Sequence, residues 1–180
     1  MKGRIIAAVA LTVSAVPAVC WSADGARIIA SINANGWIVF GSNQTHEKVA
    51  DATVPGKAAI RISVPNDGGP TGGATGQSVV KADIKQGDTV RVTAWFKGVS
   101  TVSGGPARAI VKLKDADKPY KPYGEKAFEL TRDWKPYSID YVAERDFPAR
   151  SLNIVVQVAL GRQTVDVGPA SAEILTPARQ

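Results

Sequence analysis

Histidines, cysteines and paired carboxylates, the usual carriers of catalysis, are sparse in this chain of 180 residues. His46 is the sole histidine and lies in a polar segment, where a lone exposed imidazole is more often incidental than a base or ligand. Cys20 is the sole cysteine and sits close to the N-terminus, so a transition-metal site lacks its ligand set. The run GGPTGGATG at 68–76 is rich in glycine, but it lacks the Lys-Ser/Thr ending and following helix of a phosphate loop. Asp115 and Asp117 could touch a cation, although flanking lysines weaken that reading. Hydrolysis of a glycosidic bond takes two positioned carboxylates. Asp133, Asp140, Glu144, Asp146 and Asp166 are available for it, and none stands in a recognisable catalytic context. No enzyme is expected. What remains is a set of aromatic rings among polar neighbours: Trp37, Trp95, Tyr120, Tyr123 and Trp134. Flat rings beside amides and guanidinium groups suit binding.

The elements that must position these residues are strands. Segment 89–97 alternates Val90, Val92, Ala94 and Phe96 with Arg91, Thr93, Trp95 and Lys97. Segment 152–160 places Leu152, Ile154, Val156, Val158 and Leu160 on one face, opposite Asn153, Val155, Gln157 and Ala159. Segment 107–114 sets Ala109, Val111 and Leu113 against Arg108, Ile110 and Lys112. Period two with β-branched enrichment is a sheet signature. Further strands are expected at 27–32, 37–40, 57–64, 78–84, 127–130, 137–141, 163–167 and 172–175. Gly- and Pro-rich connections fall at 66–76, 100–106 and 115–126. Roughly ten short strands with regular turn signals predict an all-β fold, a two-sheet antiparallel β-sandwich.

Residues 1–23 stand apart. Lys2 and Arg4 precede an apolar run from Ile5 to Val19 with a small-residue end, which describes a secretory signal peptide cleaved near Ala23. The run is short for a bilayer span, and no later one approaches it. The expected mature domain, 24–180, is a secreted or periplasmic protein without cysteine, stabilised by its own core. Losing Lys2 and Arg4 lowers the formal charge from +6 to roughly +4, a mild basic excess. That is compatible with an acidic polymer and far short of a nucleic-acid footprint.

The stretches GKAAIRISVP, KQGDTVRVTAWFKG, ARAIVKLKD, FELTRDWKPYSIDYVA and SLNIVVQVALGRQTVDVGPASAEIL follow one another in an order similar to carbohydrate-binding modules of the family 4/9/22 (CenC-like) type, galactose-binding-like jelly rolls. The matching residues are Gly87, Trp95, Phe96, Thr131, Trp134, Lys135, Tyr137, Leu152 and Gly161. The resemblance implies non-catalytic binding of a polysaccharide or oligosaccharide on the outer face of one sheet or in loops at one end. Gly168 stands where such modules often place an aspartate of a structural calcium site, so no metal or other cofactor is expected.

A pyranose offers apolar C–H faces and a rim of hydroxyls, which call for aromatic planes with amides or guanidinium groups beside them. On that basis Trp95, Arg91, Gln157, Asn153 and Arg108 are the expected ligand contacts, provided their strands are neighbours. Tyr120 and Tyr123, held extended by the prolines of KPYKPY, and Trp37 complete the candidate set. Trp134 is expected to pack at the sandwich edge. The surface would suit an acidic glycan, alone or alongside a glycan-processing enzyme. An envelope interaction domain without a sugar site is the alternative, and a polysaccharide-processing enzyme a distant third.

Overall fold

The computed structural model describes residues 25–175; the signal peptide expected at 1–23 lies outside them. Eleven strands form two antiparallel sheets, as the alternation of the sequence predicts. They are β1 (Arg27–Ile32), β2 (Ile38–Phe40), β3 (Thr45–Ala50), β4 (Ala58–Val64), β5 (Thr75–Val79), β6 (Thr89–Thr101), β7 (Ala107–Asp115), β8 (Pro122–Leu130), β9 (Lys135–Val142), β10 (Leu152–Gln157) and β11 (Gln163–Leu175). The first sheet runs β3-β4-β11-β6-β9, with β1 also paired to β11. The second runs β2-β5-β10-β7-β8.

The long strand β11 serves two partners along one edge. Its first half, Gln163 to Val167, pairs with β4, and its second half, Ala170 to Ile174, pairs with β1. The chain changes sheet at most of its connections, and this decides which side chains become neighbours. The glycine-rich segment after β6 carries the chain from the first sheet to the second, so β6 and β7 are consecutive but not paired.

Between the sheets lies one core. Val90, Val92, Ala94 and Phe96 face it from β6, Ala109, Val111 and Leu113 from β7, and Leu152, Ile154 and Val156 from β10. Each large side chain buried there contributes about 1.5–3 kcal/mol, enough to hold the register against a one-residue slip. Several boundaries differ from expectation, among them 122–126, expected within a connection, which forms the first half of β8. The polar segment around His46 forms the edge strand β3, whose exposed side chains carry no alternation to read. The strand expected at 78–84 runs from Thr75 to Val79 instead, with Gly76 lying close against Val156 and Trp37. The two C-terminal strands are one.

Candidate functional site

The sheets differ in how their outer faces are occupied. On the first sheet the polar groups bond to one another. Arg91 makes a two-pronged pair with Asp140 (2.8 and 2.7 Å), and Arg61 does the same with Asp166 (2.8 and 3.0 Å). Thr93 meets Ser138 at 2.8 Å. Asp51 accepts from Lys97 Nζ at 2.9 Å and from Trp134 Nε1 at 2.8 Å, while Thr53 donates to its other oxygen. These hydrogen bonds hold the Asp51 carboxyl well below the usual aspartate range, with the Thr53 hydroxyl contributing most, then the Trp134 N–H.

On the second sheet the outer face is organised in three cross-strand rows. One runs Phe40, Thr75, Gln157, Ile110 and Ala127 across β2, β5, β10, β7 and β8. The next runs Ile38, Gln77, Val155 and Lys112, and the third Val79, Asn153 and Lys114. Above one end of these rows opens a hollow of about 350 Å³ lined by Phe40, Gln77, Lys114, Asp115, Tyr120 and Asn153. Phe40 and Tyr120 are 44% and 43% exposed, so aromatic surface borders the hollow from β2 and from the segment after β7. Tyr120 has a positive φ of 58°, an uncommon conformation for a non-glycine residue, and Lys114 Nζ stands 4.8 Å over its ring.

Gln157 lies in the first row and is buried, its Oε1 without a hydrogen-bond partner. A Cβ at Gly72 would come within 3.6 Å of its Nε2, so the turn Thr71–Gly73 packs against the amide. That turn is held from several sides. Gly73 O accepts from Asn43 N at 2.9 Å, Gly72 O accepts from Thr75 Oγ1 at 3.1 Å, and Asp67 Oδ1 accepts from Arg162 N at 2.7 Å. At Gly41, φ is +129° and a Cβ would sit 2.2 Å from Gly73 O, so only glycine lets the two segments meet.

The Carbohydrate binding domain family (CBM_4_9) matches residues 30–164, most of the chain. The chain belongs to this family. It is similar to the CBM22-1 xylan-binding domain of Paenibacillus barcinonensis Xyn10C, with 14% identity and a TM-score of 0.60 over 87% of this chain and 100% of that one. The CBM22-1–GH10 modules of Clostridium thermocellum endo-1,4-β-D-xylanase 10B, complexed with xylohexaose, share 10% identity at a TM-score of 0.58, over 85% of this chain and 29% of that one. The Stig cyclase Fisc from Fischerella sp. TAU, in complex with (3Z)-3-(1-methyl-2-pyrrolidinylidene)-3H-indole, shares 15% identity at a TM-score of 0.60, over 82% and 89%. At such identities these structures share the fold. No curated protein sequence matches the chain.

Within this family fold, the sequence-derived candidates separate. Gln157, Asn153 and Arg108 are on the second sheet, whereas Trp95 and Arg91 are on the first, so the expected single surface does not exist. The face assignments hold along 89–97, 107–114 and 152–157, whereas past the end of β10 Ala159 joins the core and Leu160 does not. The assumption that β6 neighbours β7 and β10 fails, because alternation reports a side of a strand and not a sheet. Trp95 is half-buried, with its Cβ, Val54 and the Trp134 ring crowding the space a Gly168 side chain would need (3.0, 2.9 and 3.1 Å). Arg108 is exposed and donates to Leu160 O at 2.7 Å.

Two aromatic candidates belong to the core. Trp37 is 7% exposed and donates from Nε1 to Gly168 O at 2.9 Å. Tyr123 is 5% exposed within β8, packs on Tyr141 and Phe147, and donates to Asp115 at 3.1 Å. Only Tyr120 of the pair lines the hollow, and its left-handed backbone replaces the expected extended arrangement. Trp134 is half-buried, its indole engaged with Asp51.

Phe40, Gln77 and Lys114 were not foreseen. Phe40 carried a readable signal, an aromatic at the end of a short edge strand, but nothing in its neighbourhood tells which sheet β2 joins. At Gly168 the atoms nearest a side chain would be those of Val54, Trp95 and Trp134, and no group of three or more His, Cys, Asp or Glu suited to a metal occurs among the described residues.

Proposed function

We propose that the protein binds carbohydrate without transforming it, in the hollow on the outer face of the second sheet. The observation that carries the reading is two exposed aromatic side chains, Phe40 and Tyr120, bordering a recess with amides at Gln77 and Asn153, in a chain of a carbohydrate-binding family. Ring planes would cover the C–H faces of a sugar, while the two amides, each both donor and acceptor, would replace water on its hydroxyls. On the outer face of the first sheet Arg91, Thr93 and Lys97 already bond to neighbouring side chains, which favours the second sheet as the site.

Export by the N-terminal segment would bring the protein to polysaccharide outside the cytoplasm, acting alone or beside a glycan-processing enzyme. The modular xylanase to which it is similar supports that second arrangement. A second reading, an envelope interaction domain, is favoured by the exposed Ile38 on the short edge strand β2.

A glycan array followed by affinity electrophoresis in soluble polysaccharides tests the proposal. The wild type should be retarded by at least one polymer, and Phe40→Ala and Tyr120→Ala should each weaken binding about ten-fold. A blank array would leave the interaction reading in its place, and retardation that survives both substitutions together would move the sugar site out of this hollow.

A further inference from the structure

We infer that the glycan taken by this hollow bears carboxylates, uronic acids within a polysaccharide, and that Lys114 and Lys81 recognise them. The inference rests on the sugar site proposed above. Its warrant is the charge of the recess. Among the described residues, Lys114 and Asp115 are the only charged side chains lining the 350 Å³ hollow. Asp115 is already bonded, accepting from Arg145 Nη2 at 3.1 Å and from the Tyr123 hydroxyl at 3.1 Å. Lys114 has no carboxylate within 4.0 Å among the described residues, and its ammonium rests over the phenol ring of Tyr120.

A second hollow, of about 290 Å³, shares Gln77 and Asn153 with the first, and Lys81 is its one charged side chain. Lys81 also lacks a carboxylate partner among the described residues. Nearby Lys112 is unlike both, since it is neutralised by Glu125 at 2.8 Å. Two ammonium groups thus flank a pair of amides, and the only carboxylate present is turned to an arginine. A neutral glycan would offer that excess of positive charge only hydroxyl acceptors. A carboxylate gains a charge-assisted hydrogen bond stronger than the cation–ring contact Lys114 makes alone.

The test uses polygalacturonate and glucuronoxylan, each beside its carboxyl-reduced counterpart, in affinity electrophoresis with the full chain. The wild type should bind the acidic forms about ten-fold more tightly than the reduced ones, and added salt should shrink that ratio. Lys114→Gln should lower the ratio roughly three- to ten-fold, and Lys114→Gln with Lys81→Gln should bring it near one. Both side chains reach the surface of a hollow, and a melting curve of each variant verifies the fold. Equal affinity for acidic and reduced polymers, lost together in Phe40→Ala, overturns the uronate inference and leaves the sugar site standing. A ratio that survives the double substitution also overturns it. Failure to bind any of these polymers overturns the uronate inference, and a blank glycan array besides removes the sugar site as well.

Discussion

The amide of Gln157 is in an unfavourable position for a side chain with four hydrogen-bonding capacities. It stands on the outer face of β10 between Thr75 and Ile110, closed in by the 71–73 turn, with its carbonyl oxygen unbonded. An unsatisfied buried acceptor costs about 1–3 kcal/mol, so stability alone gives no reason for glutamine here. Gln157→Leu should therefore hold or raise stability, by up to about 1 kcal/mol, as measured by urea denaturation. If a glycan lifts the turn and takes the amide, the same variant loses affinity while gaining stability. A clear loss of stability would show that the amide is bonded in solution. The hollow beside it works differently, since Asn153 and Gln77 meet water there and cost nothing to hold ready.

At the scale of elements, the outer face of the first sheet is a ladder of ion pairs tying β4 to β11 and β6 to β9, with Asp51 joining the segment after β3 to β6 and Trp134. Asp51, Asp140 and Asp146 all titrate below the usual aspartate value of 3.8. Thr53 is the main cause at Asp51, Arg91 at Asp140, and the Gln86 backbone N–H followed by Lys85 at Asp146. A carboxyl with a depressed native pKa contributes stability that is present above its unfolded value and lost as pH falls through the native one. The urea midpoint should thus stay level down to about pH 5 and decline below about pH 4. Asp51→Asn should lower the midpoint at neutral pH and flatten the acid decline. An unchanged acid decline in that variant would assign the effect to the other two carboxyls.

For the whole molecule, the proposed site assigns stability to one outer face and recognition to the other. Trp95 sits on the self-bonded face against Gly168, so Trp95→Ala should destabilise by about 1–3 kcal/mol in denaturant titrations and leave glycan affinity unchanged. Loss of affinity without loss of stability would return the site to the first sheet. The period-two pattern of 89–97, 107–114 and 152–160 determined, from sequence alone, that the fold is all-β and which side of each strand faces inward. It did so because burial on one face of a pleated strand leaves a local trace every second residue. Asn153 and Gln157 could be named for the same reason, as polar residues outside that apolar set, and Tyr120 as an aromatic in a proline-bearing connection. Which strands share a sheet left no such trace, since β6, β7 and β10 alternate alike. Only the tertiary structure separated Trp95 from Gln157, drew Trp37 and Tyr123 into the core, and set Phe40 across from Tyr120. Those outcomes follow from pairings between segments distant in the chain, where the contacts of each side chain depend on a partner strand that its own neighbours do not specify.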